Sequence, residues 1–100
     1  METASAFEEV LANLKGVDTD KLSNLSDAIK LDFYKYYKQA TVGDCNIPEP
    51  YTIYYTAHAK WAAWKSLEGM AIEDAMREYI NYYKNYIGGG TAAVVAAVAA

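Results

Sequence analysis

Apolar residues recur at helical spacing in four segments of this chain, and glycine or proline separates the segments. In the first segment, residues 4–15, the apolar positions are Phe7, Val10, Leu11 and Leu14. This i, i+3, i+4, i+7 spacing puts the four side chains on one face of a helix. No segment shows the alternation typical of a strand. We therefore predict a fold built from helices alone.

Three further helices are predicted, at residues 26–41, 56–68 and 72–87. Ser26 suits the N-cap of the second helix, and Gly43 ends it. Gly69 ends the third helix. Glu73 and Asp74 suit the positive end of the fourth helix dipole. The inner face of the fourth helix should consist of Ala75, Met76, Tyr79, Ile80, Tyr83 and Ile87. Four short helices without strands predict a small all-α bundle.

The chain changes character after residue 87. Three glycines are followed by an alanine- and valine-rich stretch of about nine residues, whereas a membrane-spanning helix needs about 20. We predict one helical domain at residues 4–87 and a flexible or weakly helical tail at 88–100, without an integral membrane segment. A weak contact of the tail with a membrane or a partner protein stays open.

Charge and cysteine content limit the possible partners and the compartment. The net charge of −4 argues against a nucleic-acid partner, because binding a polyanion needs a broad basic surface. The single cysteine, Cys45, allows no internal disulfide and favours a reducing compartment. The N-terminal residues show no secretory signal pattern. We expect a cytoplasmic protein.

Two tyrosines and a lysine near the end of the second predicted helix form the best candidate site. Tyr34, Tyr37 and Lys38 lie at i, i+3 and i+4, so they share one helix face. Phenol rings and an ammonium group suit a ligand that carries an aromatic base and phosphate. Lys60 adds another cation beside a tryptophan pair. An ordinary half-buried helix face is the alternative interpretation.

The remaining reactive residues do not suggest catalysis or a bound metal. His58 has no cysteine or second histidine at ligand spacing, and Cys45 has no basic neighbour that would activate it. The acidic pairs, such as Glu8 and Glu9, fit helix starts and solvated faces. Trp64 is expected to pack between helices. We predict no metal site, no cofactor and no enzymatic activity.

Three blocks of sequence resemble the acyl-CoA-binding protein family in order and in spacing. They are YKQATVGD at 37–44, AKWAAW at 59–64, and EDAM followed by YI at 73–80. The resemblance covers about residues 4–87. It implies a four-helix, up-down-down-up bundle that holds a long-chain fatty acyl-CoA in a surface bowl.

The resemblance also implies the ligand contacts. Carried over by position, the residues that contact the acyl-CoA head group are Lys15, Tyr34, Tyr37, Lys38, Lys60 and Tyr79. The residues that line the adenine site or the acyl groove are Phe7, Leu11, Leu31, Ile53 and Tyr55.

The function that follows from the resemblance is reversible binding, buffering and intracellular transport of long-chain acyl-CoA. The expected protein is a non-catalytic monomer that meets acyl-CoA-using enzymes or membranes transiently. The alternative is a helical protein-interaction module that uses its tyrosine-rich surface, with acyl-CoA as a possible gate.

The sequence departs from the family pattern around the third helix. Thr56 and His58 stand where the family often has lysines, and Glu49 and Tyr51 stand where arginine and glycine are usual. Fewer cations at this point would weaken phosphate binding or make it more sensitive to salt.

Overall fold

The computed structural model describes residues 2–16 and 22–87 of the chain. Within these ranges there are no strands, and the helices are α1 (Glu2–Leu14), α2 (Asp27–Thr41), α3 (Tyr55–Lys65) and α4 (Ile72–Tyr86). The predicted all-α fold is confirmed. The tail predicted at 88–100 lies outside the described residues.

α2 begins and ends where the sequence predicts. The Ser26 hydroxyl accepts a hydrogen bond from the Ile29 amide at 3.2 Å, which confirms Ser26 as the N-cap. At the other end, the Val42 amide donates to the Lys38 carbonyl at 2.8 Å. Gly43 follows with φ of +95°, a left-handed conformation that glycine adopts without a Cβ clash.

α3 ends earlier than predicted. The helix stops at Lys65, and residues 66–69 form a turn that closes at Gly69, with φ of +91°. In this turn the Leu67 amide donates to the Trp64 carbonyl at 3.0 Å, a tighter spacing than in an α-helix. The glycine therefore ends the turn that follows α3 and not the helix itself.

α4 is the central helix of the core. It packs against both α1 and α2, whereas α3 packs against α2. The predicted inner face is confirmed, with Met76 partly buried and the remaining members fully buried: Ala75, Tyr79, Ile80, Tyr83 and Ile87. Phe7 and Val10 from α1 and Ala40 from α2 complete this core. Each large apolar side chain buried here stabilises the fold by roughly 1.5–3 kcal/mol.

The N-cap of α2 gives a direct test of the local structure. Ser26→Ala should lower the free energy of unfolding by about 1 kcal/mol, because the Ile29 amide loses its acceptor. Chemical denaturation measures the change. Ser26→Asp keeps an acceptor at the cap and serves as the control, with stability close to that of the unmodified protein. Equal losses in both variants would contradict the capping role.

Candidate functional site

A cavity of about 350 Å³ lies between α2 and α3. We call it the α2–α3 cavity. Its wall from α2 comprises Asp27, Lys30, Leu31 and Tyr34, and its wall from the start of α3 comprises Tyr55, Thr56, Ala59 and Lys60. The four α2 positions follow the i, i+3, i+4, i+7 spacing of one helix face. Four of the predicted contacts therefore meet here: Leu31, Tyr34, Tyr55 and Lys60.

Lys60 and Tyr34 form one cation–aromatic pair at this cavity. The Lys60 ammonium lies 5.3 Å from the centre of the Tyr34 ring. Such a contact attracts the ammonium electrostatically and leaves its hydrogens able to donate to other acceptors. The pair therefore presents a cation beside a phenol that borders an apolar space.

Lys38 and Trp64 form a second pair of the same kind. The Lys38 ammonium lies 4.8 Å from the centre of the Trp64 ring. Trp64 is 1 % exposed, and its indole N–H donates to the Gly43 carbonyl at 2.8 Å. The ring is thus fixed by packing and by a hydrogen bond to the end of α2. The prediction that Trp64 packs between helices is confirmed, and its face also positions Lys38.

Two residues of the YKQATVGD block serve the fold. The Gln39 side chain is fully buried, and its amide donates to the Asp44 carboxylate and to the Met70 carbonyl, both at 2.9 Å. The Gly69 amide donates to the same carboxylate at 2.9 Å. These hydrogen bonds, from Gly69 first and Gln39 second, lower the pKa of Asp44 below its ordinary value. They join the end of α2 to the turn that follows α3.

Tyr37 and Tyr79 connect this face of α2 to the core. Tyr37 is 40 % exposed, and its ring centre lies 6.1 Å from that of Tyr79. Tyr79 is 7 % exposed and makes edge-to-face contacts with Phe7 and Phe33, each at 5.4 Å. Burial, with a smaller contribution from Tyr37, raises the pKa of Tyr79 to about 12. Tyr79 is therefore a neutral phenol at neutral pH.

The raised pKa of Tyr79 makes stability depend on pH in the alkaline range. Below pH 10 the phenol is protonated in both folded and unfolded chains, so its contribution is constant. As pH rises from 10 to about 12, the unfolded phenol loses its proton while the folded one keeps it, which favours unfolding. We expect this residue to account for a loss of roughly 2–3 kcal/mol across that window.

Tyr79→Phe removes this contribution. Chemical denaturation between pH 9 and 12 should show a shallower decline in the variant than in the unmodified protein. Some decline should remain, because burial and the hydrogen bond to Asp32 also raise the pKa of Tyr82 to about 12. Identical pH dependence in the two proteins would show that Tyr79 does not resist ionisation.

A second cavity, of about 410 Å³, lies between α1, α2 and α4. We call it the α1–α4 cavity. It is lined by Leu14, Leu22, Ser23, Leu25, Lys30, Phe33, Tyr79 and Ile87. Tyr79 is the predicted site residue that the structure places here. Tyr79, which is expected to contact the acyl-CoA head group, therefore borders the mostly apolar α1–α4 cavity.

The structure does not bring every predicted contact to these cavities. Phe7 is 1 % exposed beneath Tyr79, so its observed role is in the core. Leu11 packs against the same core, and Lys15 is exposed just after the end of α1. Ile53 is 74 % exposed in the segment before α3. None of these four residues lines either cavity, and neither do Tyr37 and Lys38. The ligand contacts of all six stay predictions.

The sequence analysis missed several residues that line the α2–α3 cavity: Asp27, Lys30, Thr56 and Ala59. Asp27 and Lys30 lie seven and four residues before Tyr34, so helical spacing from Tyr34 could have indicated both. Thr56 and Ala59 could have been found in the same way from Lys60, since Ala59 precedes it and Thr56 lies one turn earlier.

Two of the departures from the family pattern contact each other. The His58 ring nitrogen lies 2.7 Å from the Glu49 carboxylate, and the His58 ring lies 5.9 Å from the ring of Trp61. The Trp61 indole N–H donates to the Ile47 carbonyl at 3.0 Å. The segment before α3 is thus held to α3 by one pair of side chains that departs from the family pattern and by Trp61, which belongs to the AKWAAW block.

Residues 2–16 and 22–87 contain neither a membrane-spanning helix nor a metal-binding cluster. No helix there combines the length and the apolar character needed to cross a membrane. Those residues also contain no group of three or more histidine, cysteine or acidic side chains placed to hold a metal ion.

Comparison with known proteins identifies the family. The family model described as "Acyl CoA binding protein" matches residues 4–83. Diazepam-binding inhibitor-like 5 of Rattus norvegicus is 50% identical over 74 residues, which are 74% of this chain and 80% of that protein. Acyl-CoA-binding domain-containing protein 1 of Arabidopsis thaliana is 37% identical over 95 residues, covering 90% of this chain but 28% of that longer protein.

The fold agrees with a solved structure of the same family. The crystal structure of Oryza sativa acyl-CoA-binding protein 2 superposes with a TM-score of 0.75 at 34% sequence identity. The match covers 85% of this chain and 88% of that chain. The family model and the solved structure point to the same family. This chain belongs to the acyl-CoA-binding protein family.

Proposed function

We propose that this protein binds long-chain fatty acyl-CoA esters reversibly, without catalysis, and so buffers and carries them. The observation that carries the proposal is a pair of lysine–aromatic contacts: Lys60 on Tyr34 lines a largely apolar cavity, and Lys38 on Trp64 lies one helical turn of α2 beyond Tyr34. A ligand with a phosphorylated nucleotide and a hydrocarbon chain matches both parts. Membership of the family supports acyl-CoA as that ligand.

The two parts of the site contribute differently to affinity. Burying a methylene group is worth about 0.8 kcal/mol, so a 16-carbon chain contributes roughly 10 kcal/mol before ordering costs. This contribution is the same for a free fatty acid. Ammonium groups that meet phosphate oxygens distinguish the CoA ester from the fatty acid. We therefore assign most of the affinity to burial of the acyl chain. We assign the preference for a CoA ester over a free fatty acid to Lys38, Lys60 and Tyr34.

The described residues at this site support binding rather than chemistry. The α2–α3 cavity offers ammonium groups, phenols, one carboxylate, the Thr56 hydroxyl and aliphatic side chains. A hydrolase would need a nucleophile beside a base and donors for an oxyanion, and the residues that line this cavity do not form such a group. We expect acyl-CoA to stay intact for hours in the presence of excess protein.

Calorimetry with three ligands tests the proposed function. Palmitoyl-CoA should bind much more tightly than either free CoA or palmitate, because each of the latter lacks one of the two parts. The titrations should be run at one salt concentration, since phosphate contacts weaken as salt increases. Weak and equal binding of all three ligands would contradict the proposal.

A second candidate function is a protein-interaction module. The segment before α3 and the first residue of α3 expose several large apolar side chains, with exposed fractions from 62% to 84%: Tyr51, Ile53, Tyr54 and Tyr55. Aromatic residues of this kind are enriched at protein interfaces. A partner captured equally well with and without saturating palmitoyl-CoA would favour this function. Loss or gain of the partner on adding the ligand would indicate gating.

The same proposal extends to the compartment, the oligomeric state and the partners of the protein. We propose a cytoplasmic monomer that delivers its ligand to acyl-CoA-using enzymes or to membranes during brief encounters. Light scattering in solution tests the monomer. The enzymes that receive the ligand would be identified by their faster use of palmitoyl-CoA that is supplied bound to this protein.

A further inference from the structure

Lys30 occupies a distinctive place between the two cavities. It lines both the α2–α3 cavity and the α1–α4 cavity. It is exposed, and it adds a positive charge at the point where two largely apolar spaces meet. A ligand that extends from one cavity to the other has to pass this side chain.

Lys30 is also without a charged or aromatic partner among the described residues. Other lysines have one: Lys35 pairs with Asp32, and Lys65 pairs with Glu68, each at 3.2 Å. Lys38 and Lys60 lie over aromatic rings. Asp27 lines the same cavity one helical turn from Lys30, but the two do not form an ion pair in this structure. The Lys30 ammonium is therefore available to an incoming anion.

The spacing along α2 places this cation at a defined distance from the other two. Lys30 precedes Tyr34 by four residues, and Lys38 follows it by four. At a rise of about 1.5 Å per residue, the two backbone positions lie about 12 Å apart on one face. Lys60 approaches the Tyr34 ring between them. The face thus carries one cation at each end, Lys30 and Lys38, and Lys60 lies between them at Tyr34.

An acyl-CoA carries two separate anionic groups, a 3′-phosphate on the ribose and a diphosphate that leads to the pantetheine arm. We infer that Lys30 binds the diphosphate of an acyl-CoA whose 3′-phosphate is held by the lysines of the proposed function, Lys38 and Lys60. This inference rests on the proposed function. It assigns Lys30 a part in selecting ligands with the diphosphate. It also places the pantetheine arm at the junction of the two cavities.

Three ligands separate these anionic groups. Palmitoyl-CoA carries both, palmitoyl-dephospho-CoA lacks the 3′-phosphate, and S-palmitoyl-pantetheine lacks the diphosphate and the adenosine as well. Lys30→Met keeps an unbranched side chain and removes the charge. We expect this variant to bind palmitoyl-CoA and palmitoyl-dephospho-CoA more weakly by the same factor, about three- to tenfold. Its affinity for S-palmitoyl-pantetheine should be unchanged. Calorimetry at constant salt measures all three.

Matched variants complete the experiment. Lys60→Met should weaken the binding of palmitoyl-CoA strongly and that of palmitoyl-dephospho-CoA much less, in contrast to the equal losses expected for Lys30→Met. Lys84→Met removes a charge from the last turn of α4, outside both cavities, and should change none of the affinities. Circular dichroism of each variant establishes that it is folded.

Three results would overturn the inference. Lys30→Met could leave palmitoyl-CoA binding unchanged, which would mean that the charge merely faces solvent or Asp27. It could lower the affinity for S-palmitoyl-pantetheine as much as the affinity for the CoA esters, which would mean that Lys30 contacts the acyl-pantetheine part of the ligand. It could lower the affinity for free palmitate by the same factor, which would mean that the anionic group bound by Lys30 is the fatty-acid carboxylate. Failure of the unmodified protein to bind palmitoyl-CoA would instead refute the proposed function.

Discussion

Trp64→Ala should lower the free energy of unfolding by about 3–5 kcal/mol, a large part of the 5–15 kcal/mol typical of a small domain. Trp64 is 1 % exposed, so its removal leaves a cavity between α2 and α3. The Gly43 carbonyl also loses the hydrogen bond that the indole donates at 2.8 Å. Thermal and chemical denaturation should both show the loss.

A second variant separates packing from hydrogen bonding. Trp64→Phe keeps an aromatic ring and removes the indole N–H, so it should destabilise the protein less than alanine does. The ring beneath Lys38 is retained, and palmitoyl-CoA binding by the folded fraction should persist. A Trp64→Ala protein as stable as the unmodified one would contradict the role of Trp64 in joining α3 to α2.

Lys60→Met should weaken palmitoyl-CoA binding by about tenfold to hundredfold. A hydrogen bond to a charged group is worth about 1.5–3 kcal/mol, and the phosphate would lose such a partner. Methionine keeps an unbranched side chain of similar length, so the apolar wall of the α2–α3 cavity is preserved. The Tyr34 ring loses its cation but stays in place. Titration calorimetry measures the change.

Lys65→Met is the matched control for this prediction. Lys65 is at the end of the same helix, is exposed, pairs with Glu68 and lines neither cavity. Both variants lose one positive charge, so a general electrostatic effect would reduce both affinities alike. We expect Lys65→Met to bind within about twofold of the unmodified protein. Equal losses in the two variants would remove the specific role of Lys60.

The parts of the fold that depend on local sequence could be predicted well. The helical period marked α4 and its inner face because each side chain's direction follows from its position along one helix. The same reasoning put Tyr34, Tyr37 and Lys38 on one face of α2. Ser26 and Gly43 set the ends of α2 through contacts within a few residues.

Features that join distant segments could not be predicted from such patterns. Trp64 reaches Gly43 across 21 residues, and Gln39 reaches Met70 across 31. The position of Lys30 between two cavities depends on how α1, α3 and α4 surround α2. Periodicity also indicates a helix face but not depth, so it could not show how deeply Phe7 lies in the core.

A crystal structure of the protein with palmitoyl-CoA tests the central claim most directly. We predict that the 3′-phosphate lies about 2.7–3.2 Å from the ammonium groups of Lys38 and Lys60, with the acyl chain in the α2–α3 cavity beside Leu31. A bound ligand whose phosphates touch neither lysine, or whose chain lies on the exposed segment before α3, would contradict this account.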